Sequence, residues 1–242
     1  MKLSCTSLLR WKSLLLLITL FVACSSEDDH DINSPCTDPS EHIYQEVDGI
    51  ITVEMENTTI GEGWGLKTES PDFTGNGYLQ WEGETAYNNP GNGLLTYRIQ
   101  VNTPGTYRFL WRGRINEGNS GSDANDAWLR MADATDFFGY KAKNGSYVYP
   151  KDSGKTPNPN GSGKEGWFKI YLNKLNEWAW ISNTSDNDAH AVFATFEKAG
   201  IYTVEISGRS KGFAIDRFSL FHENVNEADA TAANLNPTIT CQ

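Results

Sequence analysis

Basic residues, histidine and cysteine are all scarce in this 242-residue chain, and each scarcity removes a class of function. The 20 Lys and Arg are outnumbered by 31 Asp and Glu, leaving a formal charge of −11 with few basic clusters. Such a surface repels phosphate backbones and acidic headgroups, which argues against nucleic acid and against anionic lipid as partners. His30, His42, His190 and His222 are scattered, and no Ser/His/Asp or Cys/His grouping for nucleophilic catalysis is visible. The apolar run at residues 14–22 falls well short of the roughly 20 residues needed to span a bilayer. No long helical stripe competes with the two-residue alternation that recurs along the chain.

That short apolar run follows Lys2, Arg10 and Lys12 and leads into Ala23-Cys24. Residues 1–23 therefore read as a signal peptide and are set aside from fold reasoning. The thiol directly after Val22-Ala23 resembles the bacterial lipobox, which implies that Cys24 is acylated and becomes the new N-terminus. An ordinary secretory signal with a chance cysteine is the alternative. Acyl chains contribute about 0.8 kcal/mol per buried CH₂, so a cysteine carrying several palmitate-type chains is a durable anchor, and the chain would meet the membrane only through it. Ser25-Ser26-Glu27-Asp28-Asp29 resembles the export tag of Bacteroidota surface lipoproteins, implying an outer-membrane, cell-surface location. Residues 24–45 are polar, carry Pro35 and Pro39, and are expected to form a flexible stalk.

About 200 residues remain (46–242), enough for one domain with a proper core. Cys5 leaves with the signal and Cys24 carries lipid, so Cys36 and Cys241 are left to bracket the domain in an oxidising compartment; a disulfide between them is expected. Alternation is clearest in Leu95-Thr96-Tyr97-Arg98-Ile99-Gln100-Val101, followed by the turn at Pro104-Gly105 and by Tyr107, Phe109 and Trp111 on one face. Gly105-Thr106-Tyr107 with Gly113-Arg114 is echoed at one constant offset by Gly200-Ile201-Tyr202 with Gly208-Arg209. Two copies are too few for a solenoid and suggest equivalent strands in two facing sheets. About ten short strands fit an all-β fold, a jelly-roll sandwich of two antiparallel sheets.

Four segments then carry a family resemblance. Val53-Glu54-Met55-Glu56 resembles the opening strand of family 6 and family 35 carbohydrate-binding modules, and Gly75-Asn76-Gly77-Tyr78 their glycine turn and strand. The hairpin over residues 97–112, with Pro104-Gly105-Thr106-Tyr107, and the closing Gly212-Phe213-Ala214-Ile215-Asp216 are similar to later elements of the same modules. Glu54 and Glu56 alternate with Val53 and Met55, so both carboxylates are expected on one face, with no Lys or Arg nearby in sequence. The resemblance implies that Glu54, Glu56 and Asp216 hold a structural Ca²⁺, for which hard oxygen ligands are suited. An exposed acidic edge strand is the alternative. A catalytic pair is disfavoured, because residues i and i+2 of one strand point in parallel and cannot flank a scissile bond.

The resemblance also implies a carbohydrate ligand, bound in loops at one end of the sandwich by stacking aromatics and planar polar groups. Candidates are Trp64 in the glycine-flanked loop at 61–65, Asn125, Asp126 and Trp128 at a strand start, Trp178, Trp180 and Asn183, and Arg209. Trp111 and Trp128 have core packing as the competing role. Residues 139–166 are too long for an ordinary hairpin loop and either line a groove or lie disordered. Their lysines, Lys141, Lys143, Lys151, Lys155 and Lys164, permit an anionic polysaccharide. The expected function is non-catalytic polysaccharide capture for partner enzymes or transporters; a jelly-roll lyase or hydrolase, and a surface adhesion or structural protein, are the alternatives.

Overall fold

The computed structural model describes residues 36–242; the signal segment, Cys24 and most of the stalk lie outside the described residues. After a short 3₁₀ turn at Pro39–Glu41 come β1 (His42–Gln45), β2 (Ile50–Glu54), β3 (Trp64–Lys67), β4 (Tyr78–Trp81), β5 (Leu95–Val101) and β6 (Gly105–Ile115). Next are β7 (Asp126–Arg130), β8 (Asp136–Lys141), β9 (Ser146–Val148), β10 (Phe168–Tyr171), β11 (Ala179–Trp180) and β12 (Asn183–Thr184). The chain closes with β13 (His190–Phe196), β14 (Gly200–Ser207), β15 (Phe213–His222), the single helical turn α1 (Glu227–Ala230) and β16 (Ile239–Cys241).

These strands make the expected jelly-roll sandwich, with two refinements. Short β12 pairs with both β10 and β13, so hydrogen bonding runs unbroken from β16 through β1, β5, β14, β7 and β10 into β13, β6, β15, β4 and β3. The sheet curls upon itself around a single core. One pair, β1 with β5, is parallel (Ile43 opposite Arg98) where every pair was expected to be antiparallel. Residues 42–45, assigned to the stalk on sequence, thus belong to the domain, with Tyr44 only 1% exposed. β1 also pairs with β16 (His42 opposite Cys241), which brings the ends together for the Cys36–Cys241 disulfide at a Cα separation of 5.6 Å.

The alternation does what a half-buried strand requires. Leu95, Tyr97, Ile99 and Val101 are buried while the residues between them are not, and Tyr107, Phe109 and Trp111 face the same core from β6. Burial of each such side chain favours folding by about 1.5–3 kcal/mol. The echoed strands β6 and β14 stand in opposite layers, as the repeat suggested: β6 pairs with β13 and β15, β14 with β5 and β7. Their equivalent tyrosines, Tyr107 and Tyr202, meet on Phe196 (ring centroids 5.6 and 4.5 Å). β15 is buried along its whole length.

Candidate functional site

Arg209 leaves the end of β14 in the Gly208–Arg209 turn, a corner that only glycine can make, since a Cβ on Gly208 would lie 2.1 Å from the Trp81 ring. Its guanidinium is fixed from three sides. Asp126, at the start of β7, takes the ion pair and also accepts from the Ser210 hydroxyl. Tyr87 and Trp128 hold it between their rings, with the guanidinium carbon 4.7 and 4.9 Å from the two centroids. Two backbone-linked bonds lock the neighbouring loop in place: Ala86 N–H donates to the Arg209 carbonyl (2.7 Å) and Trp128 Nε1 donates to the Ala86 carbonyl (3.0 Å).

Two open clefts meet at this point and share Tyr87 and Arg209. One, of about 590 Å³, is walled by Asn88, Pro90, Lys151 and residues 158–164. The other, of about 560 Å³, is walled by residues 121–126, Lys169, Tyr171, Asn173 and Asp186. Both lie within the usual 300–1,000 Å³ of small-ligand sites. Tyr87 stands at 58% exposure and lines both clefts, with Arg209 over one face of its ring. Asn125 anchors through its amide nitrogen to the Leu172 carbonyl (2.9 Å), while its Oδ1 accepts no bond among the described residues. Lys169 pairs with Asp186, whereas Lys151 and Lys164 carry no ion pair among the described residues.

The structure therefore gathers Asn125, Asp126, Trp128 and Arg209 into one place, but redistributes their roles. Asp126 and Trp128 are 3% and 2% exposed, so they brace Arg209 and present little surface of their own. Trp64 is a correction. It lies in β3 opposite Trp81, is 7% exposed, packs edge-on against that ring at 5.4 Å and donates from Nε1 to the Gly93 carbonyl, which makes it core. Trp178, Trp180 and Asn183 line neither cleft. Trp178 donates to the Pro71 carbonyl and sits under Arg112 and Arg114, and Trp180 packs with Leu110 and Phe221. Of the segment 139–166, Lys151 and residues 158–164 wall the groove, while Lys141 and Lys155 are drawn away into pairs with Asp188 and Asp136. Tyr87 escaped notice on sequence, although Tyr87-Asn88-Asn89-Pro90-Gly91 is an aromatic in a turn-rich loop, the same signal that singled out Trp64.

Glu54, Glu56 and Asp216 form a second cluster, and it is not an exposed acidic edge: Glu54 and Asp216 are 4% and 0% exposed. The bases absent from the local sequence come from other strands. Arg112 of β6 reaches Asp216 (2.6 Å), and Arg217 of β15 approaches Glu54 (3.5 Å). Thr74 completes the link, donating from its amide to Asp216 (2.9 Å) and from its hydroxyl to Glu54 (2.7 Å). Three carboxylates thus face two guanidinium groups, one negative charge in excess. The excess falls on Glu56, whose Oε1 accepts from Asn76 N–H (2.7 Å) while Oε2 is buried without a partner. Burial, reinforced by Glu54 and Asp216, pushes this carboxyl up to about 7. An unpaired carboxylate oxygen among hard donors fits a Ca²⁺-type cation, although no three His, Cys, Asp or Glu side chains among the described residues stand together as a ready cage.

No protein-family model matches the chain. No curated protein matches it either. Solved structures do. The GH26-CBM35 β-(1,4)-mannanase of Podospora anserina is 16% identical, with 74% of this chain and 29% of that chain covered at a TM-score of 0.42. The CBM35 from Cellvibrio japonicus Abf62 is 11% identical over 79% of this chain and 96% of that one, at 0.40. The carbohydrate-binding module CBM6cm-2 of Cellvibrio mixtus lichenase 5A, solved with cellotriose, is 11% identical over 72% and 97%, at 0.34. The chain spans less than a third of the mannanase, whose length is mostly something else. Against both module structures nearly the whole solved chain is covered, and this protein is similar to carbohydrate-binding modules of families 35 and 6.

Proposed function

We propose that this protein is a non-catalytic polysaccharide-binding module of the family 6/35 type, and that its ligand lies across the groove divided by Tyr87 and Arg209. The observation that carries this reading is the braced guanidinium. Asp126, Trp128 and the Ala86 loop hold Arg209 in one orientation before any ligand arrives, beside the exposed face of Tyr87. Sugar C–H faces stack on such a ring, and a rigid planar donor set takes hydroxyl or carboxylate oxygens with little entropy left to lose. Asn125 Oδ1 supplies an acceptor across the groove. Lys151 and Lys164 line the groove and carry no ion pair among the described residues, which favours an acidic glycan such as a polyuronate.

Ca²⁺ belongs to this proposal as a structural clip at Glu54 and Glu56, with Asp216 completing the acid set and holding Thr74 and Arg112 in position. It would neutralise the excess charge on Glu56 and tie β2 to the turn at residues 74–76. The lipid on Cys24 and display on the outer face of the outer membrane complete the proposal, with delivery of captured glycan to degrading enzymes or transporters as the use.

Native gels cast with polygalacturonate or with neutral polymers test the ligand. Polygalacturonate should retard the protein, and Tyr87→Ala and Arg209→Ala should each abolish the retardation. Free mobility in every polymer would refute the reading, and release of reducing or unsaturated ends would make the protein an enzyme. For the clip, EDTA should lower the melting temperature of the wild type but not of Glu56→Gln; no shift in the wild type removes the metal.

A further inference from the structure

The two clefts that meet at Tyr87 and Arg209 carry opposite charge. Arg209 is neutralised by Asp126, so the balance on either side is set by the other walls. On one side stand Lys151 and Lys164, and among the described residues no carboxylate lines that cleft. On the other stand Asp123 and Asp186, with Lys169 as the one cation besides Arg209. Lys169 and Asp186 pair with each other. What is left over is two positive charges in the first cleft and the negative charge of Asp123 in the second.

The backbone builds this separation. In sequence each lysine is followed by an acid, Lys151 by Asp152 and Lys164 by Glu165, and such neighbours would cancel if they faced the same way. They do not. Asp152 and Glu165 stand at φ +67° and +55°, the left-handed conformation that residues with a side chain rarely adopt. With that turn, both acids line a separate cavity of about 260 Å³, whose walls include neither Lys151 nor Lys164. Three hydrogen bonds fix the arrangement: Lys151 N–H to the Ser162 carbonyl (2.8 Å), Gly166 N–H to the Lys151 carbonyl (2.9 Å) and Glu165 N–H to Asp152 Oδ2 (3.1 Å). Uncommon backbone of this kind persists where its surroundings over-determine it. The acid of the second cleft is fixed as well. Asp123 Oδ2 accepts from the Asn119 and Ser120 amides (2.9 and 3.1 Å), and these bonds hold its carboxyl below the ordinary value of 3.8, so it is ionised at neutral pH. Beside it Asn125, Asn173 and Asn187 offer amides, which bond to sugar hydroxyls and carry no charge.

A uronate in the first cleft meets two ammonium groups; the same uronate in the second meets a fixed carboxylate. We propose that the groove reads a charge pattern, taking a glycan segment in which an acidic unit held by Lys151 and Lys164 is joined, across Arg209, to an uncharged unit beside Asn125 and Asp123. This inference rests on the groove reading above and narrows its ligand from acidic glycans in general to those with acidic and uncharged units side by side. It also fixes the direction of the bound chain, since reversal would set the acid against Asp123.

Oligogalacturonates of one length in fully acidic, half methyl-esterified and fully methyl-esterified form separate charge pattern from sugar identity, because ring and linkage stay the same. Isothermal titration should give the tightest binding to the half-esterified form, by roughly threefold to tenfold over the fully acidic one, the effect of about one like-charge contact in water. Asp123→Asn keeps an oxygen for the Asn119 and Ser120 amides and should remove that margin by tightening the acidic form. Lys151→Gln combined with Lys164→Gln should instead weaken both acid-bearing forms and leave the fully esterified form unchanged. Binding that rises or falls steadily with acid content in the wild type, or a margin that survives Asp123→Asn, would overturn the charge pattern. Tyr87→Ala reads the groove separately, since it should weaken all three forms. A steady trend together with that weakening leaves the groove standing and removes the pattern; no binding of any form by the wild type removes both.

Discussion

Removal of the Asp126 carboxylate tests the idea that Arg209 is a preorganised group and not a casual surface cation. In Asp126→Ala the guanidinium, whose side chain is 13% exposed, loses its only ion pair among the described residues, and the Ser210 hydroxyl loses its acceptor. Hydrogen bonds to charged groups contribute about 1.5–3 kcal/mol each, and stranding one member of a buried pair costs about 3–5 kcal/mol. The single variant should therefore lose about 3–4 kcal/mol. Arg209→Ala strands the carboxylate instead, with Ser210 and water still available to it, and should lose about 2–3 kcal/mol. The double variant removes both charges, so its loss should fall short of the sum by about 1.5–3 kcal/mol. Urea unfolding followed by tryptophan fluorescence measures all four proteins. Additive losses, with no coupling beyond about 0.5 kcal/mol, would refute the bracing of Arg209 by Asp126.

Trp64→Ala should destabilise the domain by about 3–5 kcal/mol in calorimetry while leaving glycan retention by the folded fraction unchanged, because Trp64 lines neither cleft. Glu46 tests a pH dependence. Burial works against its charge, yet the Thr103 and Asn102 amides and the Tyr107 hydroxyl hold it below its ordinary value of 4.5. A depressed folded value means the gain is fully present above the ordinary value and disappears as pH falls through the folded one. Glu46→Gln should thus cost about 1 kcal/mol at neutral pH, and the gap to the wild type should close in acid; a gap independent of pH would refute the assignment. Reduction of the Cys36–Cys241 bond, which spans 205 residues, should lower stability by about 5 kcal/mol in the chain-entropy picture, measured as the urea midpoint with and without reductant.

Part of this molecule was legible from two-residue alternation, because a half-buried strand writes its faces into its sequence: β5 and β6 could be read that way, and β14 as the echo of β6. The disulfide was legible by elimination. What escaped had partners far away in the chain. β1 is four residues whose strand character comes from β5 and β16, more than fifty and nearly two hundred positions on. The bases that pair with Glu54 and Asp216 arrive on β15 and β6, beyond the reach of any local window. Trp64 and Tyr87 both lie in turn-rich stretches, and it is packing on Trp81, seventeen positions on, that takes Trp64 into the core. Arg209 was selected on sequence as a strand-end cation; its clamp comes from two other segments, Tyr87 from the loop after β4 and Asp126 with Trp128 from β7.

The central claim is that Tyr87 and Arg209 form a glycan-binding groove. Isothermal titration of the wild type and of Tyr87→Ala with oligogalacturonates tests it most directly, since Tyr87 is 58% exposed and its loss should leave the fold intact. The account predicts saturable binding by the wild type and at least a roughly threefold to tenfold weakening in the variant, the worth of one stacking ring. Equal binding by both proteins, or none by the wild type, would contradict it.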